Sequence, residues 1–257
     1  GELNLVERVI ELAIQIQQIP APTFGEAQRA DFVRALFESE NLADVSVDPL
    51  GNVYARLPGK KEGRPLIVSA HTDTVFPLDT DLRVSSELGR VHGPGLGDNS
   101  LGVAALFGLL WSLRERAPLL PEGEGWGEGG DVWFVANTCE EGLGDLLGMK
   151  AVVDRFGADV QAYLVLEGLA LGNVYHRAVG VKRYRISVKV EGGHSWSDYG
   201  KPSAIHELAR LVMDLTSLDL PSHPRTTMNV GKISGGTSIN VIASEAWLEL
   251  DLRSEGQ

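Results

Sequence analysis

Three short apolar runs constrain this chain more than anything else in it: PLIVSA at 65–70, DVWFVAN at 131–137 and AYLVL at 162–166. Each reads as a strand, and the first two, rich in β-branched or aromatic residues and without polar alternation, have the pattern of buried strands. Such strands belong to parallel or mixed sheets with helices on either side, so an α/β fold follows. Each run also leads into a ligand-type residue: His71 after the first, Glu140 and Glu141 beyond the second, Glu167 after the third. In open α/β sheets the carboxyl ends of the strands are where side chains from separate elements converge.

The segments between them read as helices and turns. Leu5, Val9, Leu12, Ile16 and Ile19 recur at three- and four-residue steps, predicting an amphipathic helix that the PAP turn at 20–22 ends. A second helix is expected over 25–38, short strands over 44–47 and 52–56, and further helices over 101–111 and 146–156. The stretch PEGEGWGEGG at 121–130 cannot bury a face and reads as a surface loop.

From Lys182 the period changes. Tyr184, Ile186, Val188 and Val190 alternate with polar residues, a strand with one wet face; Ile205, Leu208, Ala209, Val212 and Leu215 mark a one-sided helix; alternating strands follow over 226–234 and 245–253. Strand, helix, strand, strand is most of a small α+β domain, so two domains are expected, 1–178 and 179–257. A sheet of this kind ordinarily needs a second helix and strand to cover it, so Leu248, Leu250 and Leu252 are expected to be exposed and to favour association.

A formal charge of −12 argues against nucleic acid or an anionic membrane as partner. No run approaches the roughly 18 consecutive apolar residues of a membrane span, which predicts a soluble protein. The single cysteine allows no intrachain disulfide and points to the cytoplasm.

His71 and Asp73 project to the same side of an extended backbone, where an imidazole can ligate metal while the carboxylate orients it; a capped strand end is the alternative. Asp98, after GPGLG, is either the N-cap of the next helix or a ligand, and its presence breaks the spacing of a phosphate-binding loop. Glu140 and Glu141 are costly together at the end of a buried strand unless a cation or proton compensates them. On an extended chain they point oppositely, so one can ligate while the other serves as general base. Cys139 could be a nucleophile, but their field would raise its pKa, and a small buried side chain fits better. His194, in EGGHS, is either a turn residue or a substrate contact, whereas His92, His176, His206 and His223 lack a ligand-like context.

SAHTDT (69–74), GPGLGDNSLG (93–102), TCEEG (138–142), LEG (166–168) and GGHS (192–195), in that order, resemble the motifs of the M20 family of metallopeptidases and deacylases. The resemblance spans nearly the whole chain. It implies a mixed-sheet catalytic domain holding two zinc ions, with cobalt or manganese as alternatives, and an inserted ferredoxin-like lid through which homodimers form. His71, Asp98 and Glu167 would complete one metal's protein ligands, Asp98 would bridge to a second, and Glu141 would bind that second ion. Glu140 would be the general base, and Asp73 would steer His71. His194 would polarise the carbonyl of the neighbouring subunit's substrate, and Asn240 and Arg253 would contact a substrate carboxylate.

The substrate implied is a small peptide or an N-acyl amino acid, cleaved at its amide bond. A non-catalytic binding or assembly module is the alternative. Two departures stand out. The family's second metal takes a histidine from a C-terminal segment that this sequence lacks, so both domains are expected to be incomplete and the chain inactive as a piece of a longer enzyme. DNS at 98–100 stands where many relatives carry a second acid and a lysine, which suggests a peptidase-T-like branch.

Overall fold

The computed structural model describes residues 4–60, 62–116, 129–169, 171–176 and 178–256. The expected loop at 121–130 lies, apart from its last two residues, outside them. The chain divides into two units, Gly1–Gly172 and Asn173–Gln257.

Unit 1 opens with helices α1 (Leu5–Gln17) and α2 (Ala27–Ser39). Asn4 starts α1 through a capping box, its side chain accepting from the Glu7 amide at 3.0 Å while the Glu7 carboxylate accepts from the Asn4 amide at 2.9 Å. Strands β1 (Ala43–Val47), β2 (Val53–Leu57) and β3 (Leu66–His71) follow, then a short hairpin, β4 (Ser85–Glu87) and β5 (Arg90–His92). After helix α3 (Leu101–Arg116) come β6 (Val132–Asn137), α4 (Leu147–Phe156) and β7 (Ala162–Val165).

The sheet order is β1-β2-β6-β3-β7. The β1–β2 and β2–β6 pairs are antiparallel, and β3 is parallel to both β6 and β7, so the sheet is mixed. Val68, Ala70, Val132, Phe134 and Ala136 face one core with α1, α2 and α3, where the Phe37 and Phe107 rings stack 4.9 Å apart. Ile67 and Val135 face a second core with Tyr54, Val152 and Phe156, beside α4. Both faces of β3 and β6 are therefore dry, which is why their sequences carry no alternation.

By length and composition the segment Leu96–Glu115 could cross a membrane, although polar residues interrupt its apolar run. Val103, Ala104, Leu106, Phe107 and Leu110 bury it in the larger core of unit 1. The β4–β5 hairpin was not expected either. Its strands are three residues each and mostly exposed, and its turn places Leu88 and Gly89 at φ +48° and +76°, the left-handed geometry of a two-residue hairpin turn.

Unit 2 contains β8 (Gly180–Lys189), β9 (Gly193–His194), α5 (Ala204–Thr216), β10 (Thr226–Gly235), β11 (Val241–Ile242) and β12 (Glu245–Ser254). The antiparallel sheet runs β10-β12-β8, and β9 pairs with β11 in a two-strand ribbon. The expected exposure of the β12 leucines does not occur. Alternation turns Leu248 and Leu250 onto α5, where both are buried beside Ala204 and Leu208, and Leu252 packs against the same cluster.

The opposite face is charged rather than apolar. Arg183 pairs with Asp251 at 3.0 Å and Arg185 with Glu249 at 2.7 Å, while the Arg185 guanidinium lies 4.3 Å from the centre of the Trp247 ring. Leu248→Ala should therefore lower the unfolding free energy by about 2–5 kcal/mol, the usual cost of a cavity at a buried leucine. Glu249→Ala, on the other face, should leave the urea midpoint close to wild type. Equal losses in the two variants would contradict this assignment of faces.

Candidate metal centre

Because β3 lies parallel between β6 and β7, the carboxyl ends of all three open on the same edge of unit 1. His71, the last residue of β3, is 2% exposed. Its Nδ1 lies 3.0 Å from the Asp73 carbonyl oxygen, which favours a proton on Nδ1 and directs Nε2 outward. Nε2 stands 3.0 Å from Asp98 Oδ1, 3.6 Å from Glu167 Oε2 and 4.0 Å from Glu140 Oε2. Two overlapping donor sets result, His71 with Asp98 and Glu167 and His71 with Glu140 and Glu141; within each set the donor atoms lie within 4.8 Å of one another.

Asp73, fully buried, does more than orient the imidazole. One carboxylate oxygen accepts from the Glu140 amide at 3.0 Å; the other accepts from the Glu141 amide at 3.0 Å and from the Thr23 hydroxyl at 2.8 Å. It thereby ties the end of β3 to the loop leaving β6. Cys139, in that loop, takes a left-handed φ of +52°. The chain thus does not continue β6 straight, and Glu140 and Glu141 both reach the His71 cluster instead of pointing apart.

Asp98 has φ −124° and ψ 91° and makes no capping bond. The capping role falls to Asn99, whose Oδ1 accepts from the Gly102 amide at 3.1 Å. Asp98 is thereby left to face His71.

The electrostatics follow from this crowding. Burial acts to lower the His71 pKa, but the Asp73, Glu167 and Glu140 carboxylates overcome it and lift the value to about 11. Burial would raise Asp73; its bonds to His71 and to the Glu140 and Glu141 amides hold it near 2 instead. The Glu140 carboxyl is pushed up, by burial first and then by Glu167, Asp73 and Asp98 working against His71. Glu141 is also pushed up, by burial and then by Asp98.

Behind Asp73 lies Arg29, 2% exposed, which donates to the Ile19 and Thr72 carbonyls, each at 2.6 Å. Burial lowers its pKa to about 10 against the pull of Asp73 and Glu26, so it remains a cation at neutral pH. Glu26 accepts from the Cys139 amide at 2.9 Å. The Cys139 thiol is buried, and burial together with Glu26 pushes its pKa up, which removes it as a nucleophile. Arg29, Glu26 and Thr23 escape a sequence search for ligands. The available signal was Arg29 beside Ala30 and Val33 on the apolar face of α2.

These donors fit a divalent cation. Tetrahedral zinc bonds of about 2.0–2.1 Å put neighbouring donor atoms about 3.3 Å apart, close to the His71–Asp98 and His71–Glu167 separations. The carboxylates also need a compensating positive charge. Both donor sets share His71, and among the described residues no other histidine enters either.

The remaining expected site residues are in unit 2. His194 on β9 lies opposite Val241 of β11, its Nδ1 accepting from the Trp196 amide at 3.2 Å. Asn240 joins the same turn, its carbonyl accepting from the Ser195 amide at 3.0 Å. Arg253 is not brought to them. It sits at the far end of β12, opposite Val181 and Thr227, whereas the turn lies past the Lys189–Glu245 end of the sheet. Eight residues of strand separate Glu245 from Arg253, roughly 26 Å at ~3.3 Å each. His92, His176, His206 and His223 are exposed and stand in neither donor set.

The chain resembles known peptidases over most of its length. A model described as peptidase family M28 matches residues 52–196, and the peptidase dimerisation domain of the M20 family matches 177–257. A Schizosaccharomyces pombe protein described as peptidase M20 domain-containing is 29% identical over 262 residues, covering 96% of this chain. The chain belongs to the M20 family. The M28 match ends at residue 196, before α5 and the two long strands that follow it, which the M20 dimerisation domain includes.

Among M20-like relatives, the succinyl-diaminopimelate desuccinylase of Corynebacterium glutamicum is 24% identical over 98% of the chain. The aminopeptidase PepT of Bacillus cereus shares the fold, with a TM-score of 0.71 and 23% identity, over 100% of this chain and 68% of that one. The chain spans 60% of the length of the fission-yeast relative and 67% of the desuccinylase.

The raised His71 pKa predicts how cation binding responds to pH. Without a cation, His71 is protonated at neutral pH; the stabilisation this gives is complete below the ordinary value of 6.5 and is lost as pH rises through about 11. A cation ligated by Nε2 must displace that proton. Between pH 6 and 8, zinc binding should therefore release about one proton from His71 and strengthen roughly tenfold per pH unit. Calorimetry in buffers of different ionisation enthalpy measures both, and a pH-independent affinity would contradict the assignment.

Proposed function

We propose that this M20 protein is a metal-dependent hydrolase of peptide or N-acyl amino acid amide bonds. The observation that carries the reading is the convergence of Asp98, Glu140, Glu141 and Glu167 on the single imidazole of His71. His71, Asp98 and Glu167 would hold one zinc ion; Asp98 and Glu141 would contribute to a second. Asp98 acts on Glu141 more strongly than any other charge does, which supports placing the two around one ion. Divalent cations bound there supply Lewis acidity, lowering the pKa of a water and offsetting charge that develops on the carbonyl oxygen.

The remaining chemistry belongs to the side chains. Glu140 accepts the proton of the attacking water and hands it to the departing amine; its raised pKa suits a group that must both take and give a proton near neutrality. Asp73, held ionised by its hydrogen bonds, keeps His71 and the Glu140–Glu141 backbone in register. The match to a dimerisation domain supports a homodimer through unit 2. In that dimer His194 and Asn240, which share one turn, would approach the partner's substrate together. Arg253 would make a separate contact.

Glu140→Gln keeps the shape of the base and removes its proton affinity. In the full-length protein it should lower kcat by about 10²–10⁴-fold on the dipeptide or N-acyl amino acid that the zinc-loaded wild type cleaves best, with metal content unchanged. A kcat near wild type would remove Glu140 as the base. His71→Ala should lose zinc by elemental analysis, and unchanged zinc would refute the metal centre itself.

A further inference from the structure

Asn99 follows Asp98 directly, is fully buried, and uses its carboxamide on the segment that carries Glu167. Its Nδ2 donates to the Leu166 carbonyl at 2.8 Å, and its Oδ1 accepts from the Gly168 amide at 2.9 Å as well as from Gly102. Leu166 and Gly168 flank Glu167, so one side chain grips both backbone neighbours of one carboxylate while its own peptide carries the other. The two segments touch: a Cβ added at Gly168 would lie 2.0 Å from the Gly97 carbonyl oxygen, and one at Gly102 would lie 2.0 Å from Asn99 Oδ1. Leu166 is anchored on its other side as well, its amide donating to the Ser69 carbonyl at 2.8 Å.

We propose that Asn99 is a positioning residue of the metal centre, fixing the separation of the Asp98 and Glu167 carboxylates by clamping the backbone segments that bear them. The proposal rests on the metal reading above. A short side chain carrying both a donor and an acceptor meets the requirement, and the amide does so without a proton to hold. Serine cannot span both partners, glutamine is a methylene too long, and an ionised aspartate would turn an acceptor toward the Leu166 carbonyl. The clamp complements Asp73, which braces the Glu140–Glu141 loop against β3 but makes no bond to the Asp98 or Glu167 segments among the described residues.

The test compares wild type, Asn99→Ala, Gly168→Ala and a stability control, Val152→Ala, buried behind the sheet on α4. Gly168→Ala keeps the amide but forces the two segments apart. Zinc affinity by competition with a chromogenic chelator should fall roughly 10–100-fold in Asn99→Ala and Gly168→Ala, and stay within about twofold in Val152→Ala. Hydrogen exchange of the zinc-free proteins provides a second readout. The Gly102 and Gly168 amides should lose protection in Asn99→Ala while that of Phe134 is kept.

Wild-type affinity in Asn99→Ala, or unchanged exchange at both glycines, overturns the clamp. Equal weakening in Val152→Ala also overturns it, because general destabilisation would then suffice. Wild type that binds no zinc refutes the metal reading, and the exchange result then decides the clamp by itself.

Discussion

The parallel pairing of β3 with β6 and β7 is the constraint on which the rest depends. The register sets His71 opposite Asn137, and Ser69 opposite Val165. A parallel register brings three chain exits to one edge, and the residues just past those exits are His71, Glu140, Glu141 and Glu167. An antiparallel pairing of the same strands would have placed alternate exits on opposite edges. Topology, more than any single contact, concentrates the negative charge.

That concentration would be untenable without compensation, and the structure compensates in layers. Asp73 is the most buried of the carboxylates and the best satisfied, with two backbone amides and a hydroxyl on its oxygens and the Arg29 cation behind it. The side chains of Asp98, Glu140 and Glu167 are 44%, 32% and 45% exposed, and among the described residues no comparable set of amides serves them. Their compensation falls to His71 or to an ion. The bracing carboxylate is thus buried and hydrogen-bonded, whereas the candidate ligands stay open to solvent or an ion, the division of labour that a cation site requires.

The sequence made the strands legible where burial on both faces leaves an unbroken apolar run, as at 65–70 and 131–137; the similar run at 162–166 forms the edge strand β7, where Leu164 and Val165 are exposed. It also made the convergence at His71 legible, because ligand-type residues stand directly after those runs. It was silent where geometry depends on one or two dihedrals. The chain bends at the left-handed Cys139 and both Glu140 and Glu141 reach one cluster, and Leu88 with Gly89 forms a hairpin from residues with no strand signal. Alternation along β12 was visible, but which face α5 covers was not, so Leu248 and Leu250 were expected outside and are found inside. The resemblance gave Asn240 and Arg253 one shared role, contact with a substrate carboxylate, and the length of β12 separates them within the chain. The role of Asn99 was not legible, because its bonds to Leu166 and Gly168 join segments more than sixty positions apart.

The central claim is that the edge formed by β3, β6 and β7 is a divalent-cation site built on His71. Anomalous diffraction at the zinc edge, from crystals of the zinc-loaded protein, tests it most directly. The account predicts an anomalous peak about 2.0–2.2 Å from His71 Nε2 and from carboxylate oxygens of Asp98 and Glu167. Zinc bound elsewhere, with His71 still hydrogen-bonded to Asp98 and no peak between them, would contradict it.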